Sequence, residues 1–134
     1  MNNLRMLEPE DEGNDGVEVT WEDQQRINTF SKLNTRLRGL EGNLEKLKQE
    51  KEALDDVEME LELADEGEPV LYKIGETFLH MPLSRAQKRL ERDQQQIGLR
   101  LASIVESVEQ CEAQMKELKV TLYGKFGKAI NLDE

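Results

Sequence analysis

The chain has a single cysteine, an aromatic share of 4% and no apolar run that approaches the length of a membrane span. One cysteine excludes an internal disulfide and fits a reducing compartment, so the expected location is the cytosol or nucleus. So few aromatics, beside 35% charged residues, are a poor recipe for a compact core. They suit long solvated helices with one narrow apolar stripe. Basic residues are also short, with 18 Lys and Arg against 29 Asp and Glu and a net charge of −11. That balance excludes the basic stripe that nucleic acid or an anionic membrane surface requires. Met1 to Gly16 is polar and acidic, unlike a secretory signal.

What the chain does contain is leucine at seven-residue spacing. Leu33, Leu40, Leu47, Leu54 and Leu61 form one series, and Phe30, Leu37 and Leu44 form a second, three residues behind it. Near the C-terminus, Leu101, Val108, Met115 and Leu122 form one series; Leu83, Leu90, Ile97, Ile104, Cys111 and Leu118 form its companion. Two interleaved heptad series are the seam of a coiled coil. Residues 1–16 read as a disordered acidic leader. Thr20 caps a helix over about 20–63, with Asp23 at its third position, and Gly67 and Pro69 end it. A second helix spans about 84–123, opened by a Ser84 and Gln87 capping box, and a short tail covers 124–134.

Between the helices, residues 70–81 are β-rich. Gly75-Glu76 suits a two-residue type II′ turn, so the segment reads as a hairpin. The fold class is therefore mainly α: a long antiparallel two-helix coiled coil joined by a β-hairpin. The hairpin carries Val70, Leu71, Tyr72, Ile74, Phe78, Leu79 and Met81 around Gly75. A lone hairpin is marginal in water and exposes two unpaired edges. Its apolar residues, spread over both faces, call for oligomerisation with other hairpins, ideally as a closed barrel. In an antiparallel coil with Leu61 near Gln87, Leu37 lies beside Cys111 and Phe30 beside Leu118; a one-heptad slip is the alternative. The acidic run from Glu52 to Glu68 would then lie beside Arg85, Lys88, Arg89 and Arg92, where cross-helix pairs would favour this register.

Catalytic and metal chemistry find little footing. His80 has no clustered partners and reads as structural, Cys111 as a small seam residue. Asp11 to Glu22 has only a distant likeness to a calcium loop, with Gly13 where an oxygen ligand is needed. No enzyme active site, cofactor site or metal site is expected. Apolar residues do collect beyond the seams, at the chain ends: Val17, Val19, Trp21, Tyr123, Phe126, Ile130 and Leu132. With Asp23 and Arg26 in seam positions opposite Leu118 and Leu122, the end of the second helix is poorly covered. The tail either folds back as a cap or leaves an apolar tip that grips something.

Three strings carry a resemblance. They are Val19-Thr-Trp-Glu-Asp-Gln-Gln-Arg-Ile-Asn-Thr-Phe-Ser-Lys-Leu33, Tyr72-Lys-Ile-Gly-Glu-Thr-Phe78, and Leu118-Lys-Val-Thr-Leu-Tyr-Gly-Lys-Phe-Gly-Lys-Ala-Ile-Asn-Leu132. They resemble the opening helix, hairpin and C-terminal signature of the prefoldin family, among its β-type subunits, and the likeness spans 17–134. It implies a hexamer of two α-type and four β-type subunits, this chain and three further β-type ones among them. The hairpins would form a β-barrel base, and non-native actin and tubulin would be held at the coil tips without ATP and passed to the cytosolic ring chaperonin. On that resemblance Val17, Val19, Trp21, Tyr123, Phe126, Ile130 and Leu132 become the client-binding tip. The competing class is a coiled-coil adaptor that links protein complexes through its ends.

Overall fold

A computed structural model describes residues 4–6 and 18–132. In chain order it contains β1 (Leu4–Met6), α1 (Trp21–Glu62), β2 (Val70–Ile74), β3 (Thr77–Met81) and α2 (Leu83–Phe126). A 3-10 turn, Gly127–Ala129, and β4 (Ile130–Leu132) follow. The chain is thus mainly helical, with two long helices joined by an antiparallel hairpin. It divides into two compact units: residues 1–42 with 105–134, and residues 43–104. Each helix contributes to both.

Local chemistry sets the helix ends. The Asp23 N–H donates to Thr20 Oγ1 at 3.1 Å, and the Thr20 N–H donates back to Asp23 Oδ2 at 3.1 Å. This reciprocal box satisfies two N-terminal donors that the helix itself cannot. At the other end the Leu63 and Ala64 N–H groups donate to the Glu60 and Leu61 carbonyls, tightening the last turn. The start of α2 differs from expectation. The Pro82 carbonyl accepts from the N–H groups of both Arg85 and Ala86 at 3.0 Å. The helix therefore begins a residue earlier, Ser84 lies inside the first turn, and among the described residues no Ser84 capping bond forms.

In the hairpin-bearing unit, β2 and β3 pair from Val70↔Met81 to Ile74↔Thr77. Gly75 carries the positive φ (+62°) and Glu76 does not, which is the type II′ signature. Side chains alternate across the ribbon. Tyr72 and Met81 are buried against Leu61, Leu83, Ala86 and Leu90, with Val70 and Ile74 partly buried beside them. Between the helices, the Gln94 amide donates to the Glu58 carboxylate at 3.1 Å. Arg89 pairs at 3.3 Å with Asp93 of its own helix, not with the acidic run. Among the described residues no ion pair joins Arg85, Lys88 or Arg92 to that run. These side chains stay exposed, where water offsets most of what such a pair would gain.

In the other unit, Ile27, Phe30 and Leu37 of α1 pack with Cys111, Met115, Leu122 and Phe126 of α2 and with Ala129, Ile130 and Leu132 beyond it. The Cys111 thiol donates to the Leu33 carbonyl at 3.2 Å. Asp23 carries a charge yet is only 1% exposed. It accepts from Arg26 Nη1 at 2.9 Å and pairs with Lys125 of α2. The hydrogen bond from Lys125 draws its pKa down from 3.8 to about 2, against the opposing effect of burial and with help from Thr20. The Asp23–Lys125 pair falls on the register that places Leu37 beside Cys111, and the Glu58–Gln94 and Cys111–Leu33 bonds lie within about one helical turn of it.

Two outcomes follow. A Leu37→Cys variant should cross-link to native Cys111 under a small oxidant. Efficient linkage of Leu37→Cys to Ile104→Cys, with none to Cys111, would instead indicate the heptad slip. Asp23→Asn should lower stability by about 2 kcal/mol, the scale of a charge-assisted hydrogen bond. Because the folded pKa is depressed, the carboxylate stabilises fully above its ordinary 3.8 and progressively less as pH falls toward about 2. The wild-type minus variant difference in melting temperature should therefore be constant near neutrality and shrink across that acid window. A difference independent of pH would refute the charge role.

Candidate functional site

Two surfaces concentrate the residues singled out in the sequence. The first is the end of the helices where the chain termini meet. Here Trp21 projects from the first turn of α1 and is 72% exposed; Val19 and Tyr123 are about two-fifths exposed. Val120, one turn before Tyr123 on α2, is 67% exposed and was not marked by the sequence pattern. It sits off the heptad series, and exposure of an off-seam apolar residue is the signal it leaves.

The expected tip is corrected at three positions. Phe126, Ile130 and Leu132 are 2%, 4% and 4% exposed, so they are part of the core rather than a grip. The chain reverses after α2 at Gly127, whose φ of +56° lies in the left-handed region that glycine reaches without strain. The reversal lays β4 over the last seam layer, where Ile27, Phe30 and Leu122 would otherwise meet water. The Leu132 N–H donates to the Tyr123 hydroxyl at 3.2 Å and fixes the returning strand. Lys125, held by Asp23, stands with its ammonium 5.4 Å from the centre of the Phe126 ring. A charged group in a seam position, which looked like a gap in the sequence, is the post to which the tail is tied.

The leader departs from expectation at three residues. Leu4–Met6 forms β1 and pairs antiparallel with β4: Leu4↔Leu132, Arg5↔Asn131 and Met6↔Ile130. The returning tail supplies a strand edge that composition alone could not reveal. Val17 and the rest of the leader lie outside the described residues, as does most of the calcium-like stretch. Among the described residues no group of His, Cys, Asp and Glu is placed to hold a metal ion.

The second surface is the hairpin. Tyr72, Met81, Val70 and Ile74 face the helices, whereas Leu71 and Phe78 point away and are 54% and 58% exposed. His80 stands exposed beside Leu71 on that outer face. Leu79 shares the face of Tyr72 yet remains about half exposed. Among the described residues, both outer edges of the two-stranded sheet lack a partner strand. A groove of about 600 Å³ lies beside the hairpin, lined by residues of both its faces, Leu71 and Phe78 as well as Tyr72 and Ile74, and by Leu54, Val57 and Ile97 of the helices among others. At its wall the Tyr72 hydroxyl donates to Asp93 at 2.9 Å, and Arg89 braces that carboxylate. Burial, and then the bond to Asp93, push the Tyr72 phenol well above its ordinary pKa of 10.0, so it remains a donor throughout the neutral range. Burial likewise raises the Cys111 thiol, which makes it a packed seam residue and a poor nucleophile.

The arrangement offers apolar and main-chain surfaces, suited to binding polypeptide. The sequence model described as Prefoldin subunit matches residues 24–129. Prefoldin subunit 4 of Saccharomyces cerevisiae is 41% identical over 117 residues, covering 87% of this chain and 91% of that protein. Prefoldin subunit 4 of Homo sapiens is 33% identical over 118 residues, covering 87% and 88%. The crystal structure of the prefoldin beta subunit from Thermococcus strain KS-1 superposes with a TM-score of 0.71 at 14% identity, covering 81% of this chain and 95% of that one. Its likeness concerns the fold. Such subunits are co-chaperones rather than enzymes and assemble with other prefoldin subunits. With a family match over most of its length, and relatives this similar along nearly all of theirs, the chain belongs to the prefoldin family.

Proposed function

We propose that this subunit, in a cytosolic hexamer of two α-type and four β-type chains, captures non-native actin and tubulin without ATP and passes them to the ring chaperonin. The observation that carries the capture reading is the exposed apolar set Val19, Trp21, Val120 and Tyr123 beside the chain termini. Side chains of this kind, spread over a surface rather than sunk in a pocket, suit clients that present no fixed shape. Each contact is weak, and several subunits acting together supply the affinity. Nuclear residence is compatible with the same chemistry.

The outer hairpin face supports the assembly part of the reading. Leu71 and Phe78 are apolar, exposed and adjacent to unpaired strand edges. Neighbouring hairpins would cover both, and would do so most completely in a closed barrel.

Two experiments test this. Leu71→Glu with Phe78→Glu should abolish incorporation into the complex while leaving the isolated chain helical by circular dichroism. These positions are preferable to Ile74, which packs toward the helices. Normal co-purification of the double variant with its partner subunits would remove the hairpin from assembly. Second, Val19→Ser, Trp21→Ser and Val120→Ser together should spare the complex. The change should raise the amount of complex that half-suppresses aggregation of unfolded actin by about threefold, a partial loss expected when other subunits still bind. Tyr123 is left intact because its hydroxyl holds the tail. Undiminished suppression would mean that this surface does not touch clients.

A further inference from the structure

β4 is three residues long, and β1 is its partner in a two-stranded sheet. A ribbon of that size is marginal in water and opens readily. Beyond that pairing, the Leu132 N–H donates to the Tyr123 hydroxyl and the Asp23–Lys125 tie secures the end of α2. The side chains of Ile130 and Leu132 are committed to the core. What β4 presents to a partner is therefore its backbone edge, and β1 holds it. An edge of this kind is a template for any extended chain, because main-chain pairing is indifferent to sequence. It also adjoins Tyr123, part of the exposed apolar set.

We infer that β1 is an intramolecular strap that competes with clients. An extended apolar segment of a non-native polypeptide displaces Leu4–Met6, pairs with Ile130–Leu132 in its place and rests its side chains on the neighbouring apolar surface. This rests on the capture reading above. While β1 is paired the edge is closed, so the apparent affinity falls by the fraction of time that the strap is open. The tail under the strap stays folded in both states, because its apolar side chains and the Asp23–Lys125 tie do not depend on β1.

The test uses the whole complex, assembled with its partner subunits, and a permanently unfolded probe, reduced and alkylated α-lactalbumin. Three forms are compared: wild type, a chain lacking residues 1–16, and the Arg5→Cys, Asn131→Cys pair, whose positions face each other in the ribbon. The deletion should leave assembly intact and tighten probe binding by about three- to tenfold, as removal of a competing closed state does. The cysteine pair should cross-link under oxidation and bind the probe more weakly than wild type. Adding reductant should restore binding. A wild-type complex that binds no probe would sink the capture reading and the strap with it. A wild-type complex that binds, with affinity unchanged by the deletion and by the oxidised lock, overturns the strap alone. Failure of the pair to cross-link overturns the β1–β4 register on which it stands.

Discussion

A narrow apolar seam between two helices protects itself along its length but not where it stops. The last layer meets water on its open side unless something is laid across it. In the unit that holds the chain termini, that layer is Phe30 and Leu122, both fully buried, and the returning tail covers it with Phe126, Ala129, Ile130 and Leu132. The closure requires a sharp reversal and an anchor. Gly127 supplies the first, and the Asp23–Lys125 pair supplies the second. Burying a carboxylate is costly unless its oxygens are fully engaged. Asp23 meets that condition through Thr20, Arg26 and Lys125 together. One residue thus caps a helix, replaces an apolar seam side chain and ties down the tail.

The hairpin-bearing unit meets the same demand in a different way. There the covering element is a β-ribbon, with Tyr72 and Met81 pressed onto Leu61, Leu83 and Leu90. Its polar anchor is the Tyr72 hydroxyl on Asp93, with Arg89 behind it. Each unit therefore combines an apolar cover with one buried or half-buried carboxylate. Each also leaves apolar side chains on the far side of its cover. These are Leu71 and Phe78 on the ribbon, and Trp21, Val19, Val120 and Tyr123 around the tail. The proposed roles in assembly and client capture fall on those leftover surfaces.

Much of this was legible in the sequence. Seven-residue spacing marked the seams, since helix geometry turns spacing directly into a face. Gly75 marked the hairpin, since a two-residue turn demands a positive φ there. Thr20 and Asp23 marked a helix start. The features that escaped all depend on partners distant in sequence. Asp23 in a seam position read as a weakness because Lys125 lies far along the chain. Phe126, Ile130 and Leu132 read equally as cap or grip, because their burial follows from a reversal at one glycine and from that distant ion pair. Leu4-Arg5-Met6, a short stretch ahead of the acidic run that starts at Glu8, carries no turn or repeat signal and pairs because β4 offers an edge. Ser84 and Gln87 matched a capping pattern, but the Pro82 carbonyl starts the helix first.

The central claim is that the tail of this subunit is a folded closure of the seam, not a loose grip. Amide hydrogen exchange of the assembled complex near neutral pH tests it most directly. The account predicts slow exchange at Phe126, Ala129, Ile130 and Leu132, slower than at the exposed Val19 and Trp21, and clear acceleration in Asp23→Asn. Exchange across 126–132 at the rate of an unstructured peptide, unchanged by Asp23→Asn, would contradict it and return these residues to the client-gripping role first expected of them.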